Sequence, residues 1–195
     1  WDKGGAARGY GASSDQIVNK PLQSVRLNCQ RAFAFPTPSS LAYVAPDVLA
    51  YEIGTGVHFV HQNTNESLIY WSKEVNLTLL AVNAKRSVFA YTSNSRNPAI
   101  HVVQYPSMDV IATLDGGVEL GYTGLAFSRD GTYLAALGDV PDHELAVWVW
   151  EENRVLAKIS TADSAGRVAG SRLSFNPADK HMLCTSGGGF LSFWH

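Results

Sequence analysis

Cysteine is nearly absent from the sequence: Cys29 and Cys184 are far apart and have no cysteine partner at metal spacing. That excludes a disulfide framework and points to a reducing compartment. Two sequons, Asn65-Glu66-Ser67 and Asn76-Leu77-Thr78, matter only in a secreted chain, and motifs this short recur by chance. Long apolar runs are missing as well. None approaches the roughly 18–20 residues of a membrane-spanning helix, and no segment reads as a signal peptide. Charge is sparse and balanced, with 15 Lys and Arg against 17 Asp and Glu and a net charge of −2. No stretch interleaves basic residues with aromatics, so nucleic acid is a poor partner. A 3.6-residue apolar period held over three turns is also lacking, which argues against helices.

What the sequence does have is apolar mass, 46% of 195 residues, enough to fold and bury a core. It also has a repeat. In "FSRDGTYLAALGD", Phe127 to Asp139, an apolar run ends at Phe127, an Asp130-Gly131 corner follows, and a second apolar run begins. A third strand with aromatics, Trp148 and Trp150, and a more polar fourth, Arg154 to Ser160, complete one unit. In the next copy Phe175 takes the place of Phe127, and the third strand ends at Trp194. Two earlier copies have third strands carrying Phe59 and Val103, the latter with Tyr105 two residues on.

Aligned on Phe59, Val103, Trp148 and Trp194, the copies recur at spacings of 44, 45 and 46 residues. A period near 45 with four short strands per unit predicts an all-β fold of WD40-type β-propeller blades. The chain holds about three and a half of them, near 41–71, 77–114, 122–159 and 171–195. Consecutive apolar residues such as Leu134 to Leu137 suit strands buried on both faces, as a blade between two blades requires. Trp148 and Trp194 are expected to be buried between blades. Residues 1–30 read as a Gly-, Ala- and Ser-rich tail in which Leu22 to Gln30 is a candidate ring-closing strand, with the propeller filling 31–195. The chain begins at Trp1 rather than Met. A ring of four to eight blades needs more than is here, so the expectation is a piece of a longer propeller, or one half of a dimer.

The repeats depart from the WD consensus. Val149 and His195 follow the tryptophans where Asp is usual, Gly116-Gly117-Val118 lacks the usual His, and Ala136 stands near an expected hydroxyl. The third blade is therefore expected to rely on apolar packing. Losing every partner of a buried polar network costs less than losing one.

Candidate chemistry is thin. Asp139, Asp142, His143 and Glu144 crowd one loop, but their spacing fits no ligand pattern and a solvated acidic turn explains them. Gly187-Gly188-Gly189 lacks the Lys-Ser or Lys-Thr of a phosphate loop and reads as a tight turn. His181 and Cys184, three apart on an expected strand, fall on opposite faces. No nucleophile elbow or acid–base set occurs. The sequence assigns no catalytic, cofactor or metal residue. The positions singled out are structural: Phe59, Val103, Tyr105, Phe127, Asp130, Gly131, Trp148, Trp150, Phe175 and Trp194.

The third unit is the most distinctive. Tyr122-Thr123 before its first strand, Gly131-Thr132-Tyr133-Leu134-Ala135, and Glu144-Leu145-Ala146 leading to Trp148-x-Trp150-Glu151 resemble the cilia- and flagella-associated WD-repeat proteins. "LSFNP" from Leu173 and Tyr105-Pro106 extend the resemblance over about the last 165 residues. It implies a non-enzymatic axonemal scaffold, part of the tether and tether-head complex of inner dynein arms. The expected partners are a sister tether subunit, inner-arm dynein heavy chains and the doublet microtubule, with no membrane, nucleic acid or small-molecule ligand. Two other readings stand beside it. One is a generic WD40 adaptor such as a ubiquitin-ligase substrate receptor. The other is a propeller hydrolase, which needs a convergent acid and base that the sequence does not offer.

Overall fold

A computed structural model of the chain describes residues 41–74, 76–115, 118–162, 172–187 and 189–195. The tail and candidate closing strand expected within 1–30 lie outside the described residues.

Four antiparallel meanders follow one another. The first is β1 (Leu41–Ala45), β2 (Val48–Ile53), β3 (Gly56–His61) and β4 (Ser67–Trp71). The second is β5 (Leu77–Asn83), β6 (Val88–Ser93), β7 (Ile100–Gln104) and β8 (Val110–Leu114). The third is β9 (Tyr122–Phe127), β10 (Tyr133–Gly138), β11 (Glu144–Val149) and β12 (Arg154–Ser160). The fourth has three strands, β13 (Arg172–Phe175), β14 (Leu183–Gly187) and β15 (Phe190–Trp194). The one helical turn among the described residues is a 3₁₀ turn over Trp150–Glu152.

The burial gradient explains the strand chemistry. All six residues of β6 are buried, whereas all seven of β12 are exposed. Successive residues of a strand point to opposite faces, so β6 must be apolar on both. Val88, Ala90 and Val102 pack on the third blade, while Phe89, Tyr91 and Val103 pack on the first. A third apolar layer, with Ala135, Leu137 and Val147 against Phe175 and Leu183, joins the third blade to the fourth. The first strands touch in succession, β1 to β5, β5 to β9 and β9 to β13. First strands innermost, exposed fourth strands outermost and a core divided among the blade junctions make this a WD40-type propeller segment.

The register corrects one sequence alignment. Val103, Trp148 and Trp194 sit opposite Phe89, Leu134 and Leu183, which pair in turn with Val82, Phe127 and Phe175. In the first blade that row runs through Leu49 and Val60, not Phe59, which pairs with Ala50. Phe59 therefore faces the next blade and meets Phe89 edge-on at 5.2 Å, whereas Val103 and Trp148 face the previous blade. Phe59 and Val60 are both buried apolar residues, so the apolar pattern alone does not choose between them, and a slip of one residue exchanges the two faces.

The two tryptophans also differ. Trp148 is 1% exposed, but Trp194 is only half-buried. β11 is covered on its outer side by β12, and no described strand lies beyond β15. Trp194 instead donates its indole N–H to Thr185 Oγ1 at 3.0 Å. By register Thr185 is the equivalent of Ala136. The fourth blade thus keeps a Trp–hydroxyl bond where the third has only a methyl, as expected for the third. Thr185→Val should lower stability by about 1 kcal/mol, the net worth of one such bond, because water can reach Trp194. A shift in the urea midpoint of the full-length protein measures it.

Candidate functional site

The polar structure of the molecule concentrates where the first hairpin of each blade meets its neighbours. In the second, third and fourth blades that hairpin is organised by one polar residue at or directly after the end of the first strand, Asn83, Ser128 and Asn176. Asn83 Oδ1 accepts the Arg86 N–H at 3.0 Å, Ser128 Oγ accepts the Tyr133 N–H at 2.9 Å, and Asn176 Oδ1 accepts the Ala178 N–H at 2.8 Å. These are local side-chain to backbone bonds that favour turns over continued strand.

Asn83 also crosses between blades. Buried at 6% exposure, it donates Nδ2–H to the Ser128 carbonyl at 2.8 Å and to the Arg129 carbonyl at 3.4 Å. Arg86 Nε donates to the Asp130 carbonyl at 3.3 Å, and Arg86 Nη1 lies 3.3 Å from Glu151 Oε1. On the other side Arg129 Nη1 donates to the Pro177 carbonyl at 3.4 Å, and Lys180 Nζ lies 3.1 Å from Asp130 Oδ2. The turn from 128 to 132 therefore joins the second, third and fourth blades.

Asp130 is the hub of that turn. Ser128 donates its hydroxyl to Oδ1 at 2.7 Å, the Thr132 N–H donates to Oδ1 at 3.0 Å, and the Thr132 hydroxyl donates to Oδ2 at 2.7 Å. Partial burial pushes its carboxyl up. The bonds from Thr132, Ser128 and Lys180 outweigh that and hold it well below the usual carboxylate range. Gly131 next to it has φ +75°, and a Cβ there would collide with Arg86 Cγ, so a side chain meets both strain and a neighbouring blade. The Gly131 carbonyl accepts the indole N–H of buried Trp150 at 2.7 Å.

Because the folded Asp130 carboxyl titrates below its unfolded value, its contribution is fully present above about pH 4 and is lost as pH falls through the folded value. Asp130→Asn should therefore melt below the parent at pH 7, and the two melting curves should converge as the medium is acidified below about pH 4. A parallel offset at every pH sinks that account.

The other positions singled out from sequence are core. Phe127 meets Trp150 edge-on at 6.2 Å, and Tyr105 stacks on Phe59 at 5.1 Å. Phe175 is 8% exposed and Val103 fully buried. In the acidic loop each of the three carboxylates turns to a separate partner. Asp142 Oδ2 accepts the Glu119 N–H at 2.6 Å, Asp139 Oδ1 accepts the Val140 N–H at 2.7 Å, and Glu144 lies 2.7 Å from Lys158 Nζ. Among the described residues no three His, Cys, Asp or Glu converge on a point where a metal ion would sit. Gly187 and Gly189, at φ 144° and 84°, flank the turn between β14 and β15, a conformation that favours glycine. His181 is not on a strand, as expected from sequence, but in the turn before β14, its ring 5.8 Å from Tyr133. Asp179 ends the strand-forming run there by accepting the His181 N–H at 2.9 Å.

Sequence reasoning missed Asn83, Ser128, Asn176 and Thr185. The one available signal, and for the first three only, was a polar residue at or directly after the end of the first strand.

With blades and junctions established, comparison with known proteins fixes the family. The model of the CFAP43 N-terminal domain matches residues 31–189. Cilia- and flagella-associated protein 43 of Mus musculus is 31% identical over 160 residues, 82% of this chain and 9% of that protein. Cilia- and flagella-associated protein 44 of Mus musculus is 24% identical over 186 residues, 95% of this chain and 10% of that protein. The chain thus spans about a tenth of the length of these relatives. A chain in the crystal structure of the mitotic checkpoint complex superposes with a TM-score of 0.61 over 76% of this chain and 44% of its own, at 22% identity. That likeness concerns the fold alone. A family model that covers most of the described blades, and a relative 31% identical over 82% of the chain, agree with the resemblance carried by Asp130-Gly131 and Trp148-x-Trp150: the chain belongs to the CFAP43 N-terminal domain family.

Proposed function

We propose that the chain serves as a non-enzymatic axonemal scaffold of motile cilia and flagella, helping to tether the motor domains of inner-arm dyneins to the doublet microtubule. The cilia- and flagella-associated relatives support the location. The observation that carries the scaffold reading is how the polar side chains are used. Asn83, Ser128, Asp130, Trp150 and Thr185 all bind neighbouring strands or blades, and the junctions between blades are filled with apolar side chains. A rigid platform whose strands hold each other leaves its loops for partners, the usual division of labour in propellers.

Crosslinking in isolated cilia tests the reading, with the full-length protein as bait. Peptides of inner-arm dynein heavy chains, tubulin and a sister tether subunit are the expected neighbours. Recovery of ubiquitin-ligase subunits in their place would overturn the scaffold reading in favour of a substrate-receptor adaptor.

A further inference from the structure

We propose that the cleft between the first hairpins of the second, third and fourth blades is a docking surface for an acidic peptide segment. The cleft has a volume of about 800 Å³, and Lys85, Arg129 and Lys180 line it, one cation from each of three successive hairpins. One carboxylate, Asp130, lies among them and is already held by Lys180 and the turn hydroxyls. Lys85 and Arg129 are exposed and form no ion pair among the described residues. Two positive charges are therefore in excess on a protein whose net charge is −2.

The rest of the cleft decides what fits. Asn83 and Asn176 have their side-chain oxygens committed to backbone N–H groups, so the cations are the groups left to recognise a ligand. Arg129 makes a single long contact, 3.4 Å to the Pro177 carbonyl, and retains donors in the fork geometry that matches a carboxylate. A nucleic-acid strand needs a longer basic track and stacking platforms. Here the turns between third and fourth strands, at the same end of the blades, carry Glu66, Asp109, Glu151 and Glu152. These carboxylates offer no basic track beyond the cleft and repel any anion, peptide or polyphosphate, that runs past it, so the matching ligand is a short acidic run confined to the inner cations. This surface follows from the chain's own charges and does not depend on the axonemal reading.

The test uses the full-length protein and a fluorescein-labelled octaglutamate peptide, read by fluorescence anisotropy, with octaglutamine and an oligothymidylate strand as companion probes. Octaglutamate should bind at low salt, weaken as the Debye length contracts from about 10 Å at 0.1 M to about 3 Å at 1 M, and outcompete both companions. Lys85→Glu combined with Arg129→Gln should weaken binding about tenfold, the loss of roughly 1.4 kcal/mol, and Lys158→Gln at the far end of the third blade should leave it unchanged. Circular dichroism checks that the double variant folds. Where it does not, Lys85→Glu alone, which breaks no hydrogen bond, should still weaken binding several-fold. Equal binding of octaglutamine, no loss in the variants, or tighter binding of oligothymidylate through the same cations each overturns the proposal.

Discussion

Trp148→Ala should destabilise the full-length protein by about 3–5 kcal/mol, the range for truncating a large buried aromatic. Trp148 is among the largest fully buried side chains, at 1% exposure. It lies in the layer between the second and third blades, with Val102 and Ile100 on one side and Leu134 beside it on its own sheet. The void has no easy way to collapse. Its walls are strands of two different blades, each fixed by its own ladder, so the cavity cost adds to the lost transfer energy. Trp148→Phe should recover much of the loss, because the site has no hydroxyl at Ala136 for an indole to serve. Urea denaturation followed by circular dichroism measures both variants. An alanine variant that unfolds at the parental midpoint would mean that the junction does not hold the blades together.

The contrast between Trp148 and Trp194 marks how far the fold was legible. The strand–turn–strand pattern around Asp130-Gly131 and the period near 45 are carried by residue types that physics restricts: a glycine at positive φ, aromatics at a packed row, apolar runs on doubly buried strands. Those features survive in a degenerate sequence because no other residues satisfy them as cheaply. The Thr185–Trp194 bond was hidden for a different reason. Thr185 lies nine residues before its tryptophan and Ala136 twelve before Trp148, since the hairpins between them differ in length. Only the strand register shows the two positions to be equivalent. Phe59 was placed one residue out because its neighbour Val60 is apolar and buried as well, and only the pairing of β2 with β3 tells the two apart.

The junction residues were illegible for a third reason. Asn83, Ser128 and Asn176 perform one task, closing the first hairpin with a side-chain oxygen, and an amide or a hydroxyl does it equally well. A role that several side chains can fill leaves no letter to align. The cations of the cleft have the same property. Lys85, Arg129 and Lys180 stand at unequal offsets from those residues, and a long flexible side chain reaches a common space from any of them.

Asn83→Ala should be the most damaging polar substitution at the junctions, costing about 1–3 kcal/mol. Removing the amide deletes the donor to the Ser128 carbonyl and the acceptor for the Arg86 N–H together. The Ser128 carbonyl keeps the Gly131 N–H at 2.9 Å and the exposed Arg86 N–H can turn to water, so what is lost is chiefly the buried amide bond between blades, worth about 1–3 kcal/mol. The damage should also spread. The turn that Asn83 holds carries the Asp130 hub and the Gly131 carbonyl that accepts the Trp150 indole N–H, so loosening one bond frees contacts on two further elements. Asn83→Asp separates the bonds from simple volume. It keeps the acceptor for Arg86 but turns the donor into a second negative oxygen facing the Ser128 and Arg129 carbonyls. A role confined to the hairpin predicts that aspartate is tolerated, since aspartate closes such turns as well as asparagine does. A role in joining blades predicts that aspartate is at least as destabilising as alanine. Denaturant midpoints of the three proteins, measured on the full-length chain, decide between them, and a near-parental aspartate variant rules out the bond between blades as a source of stability.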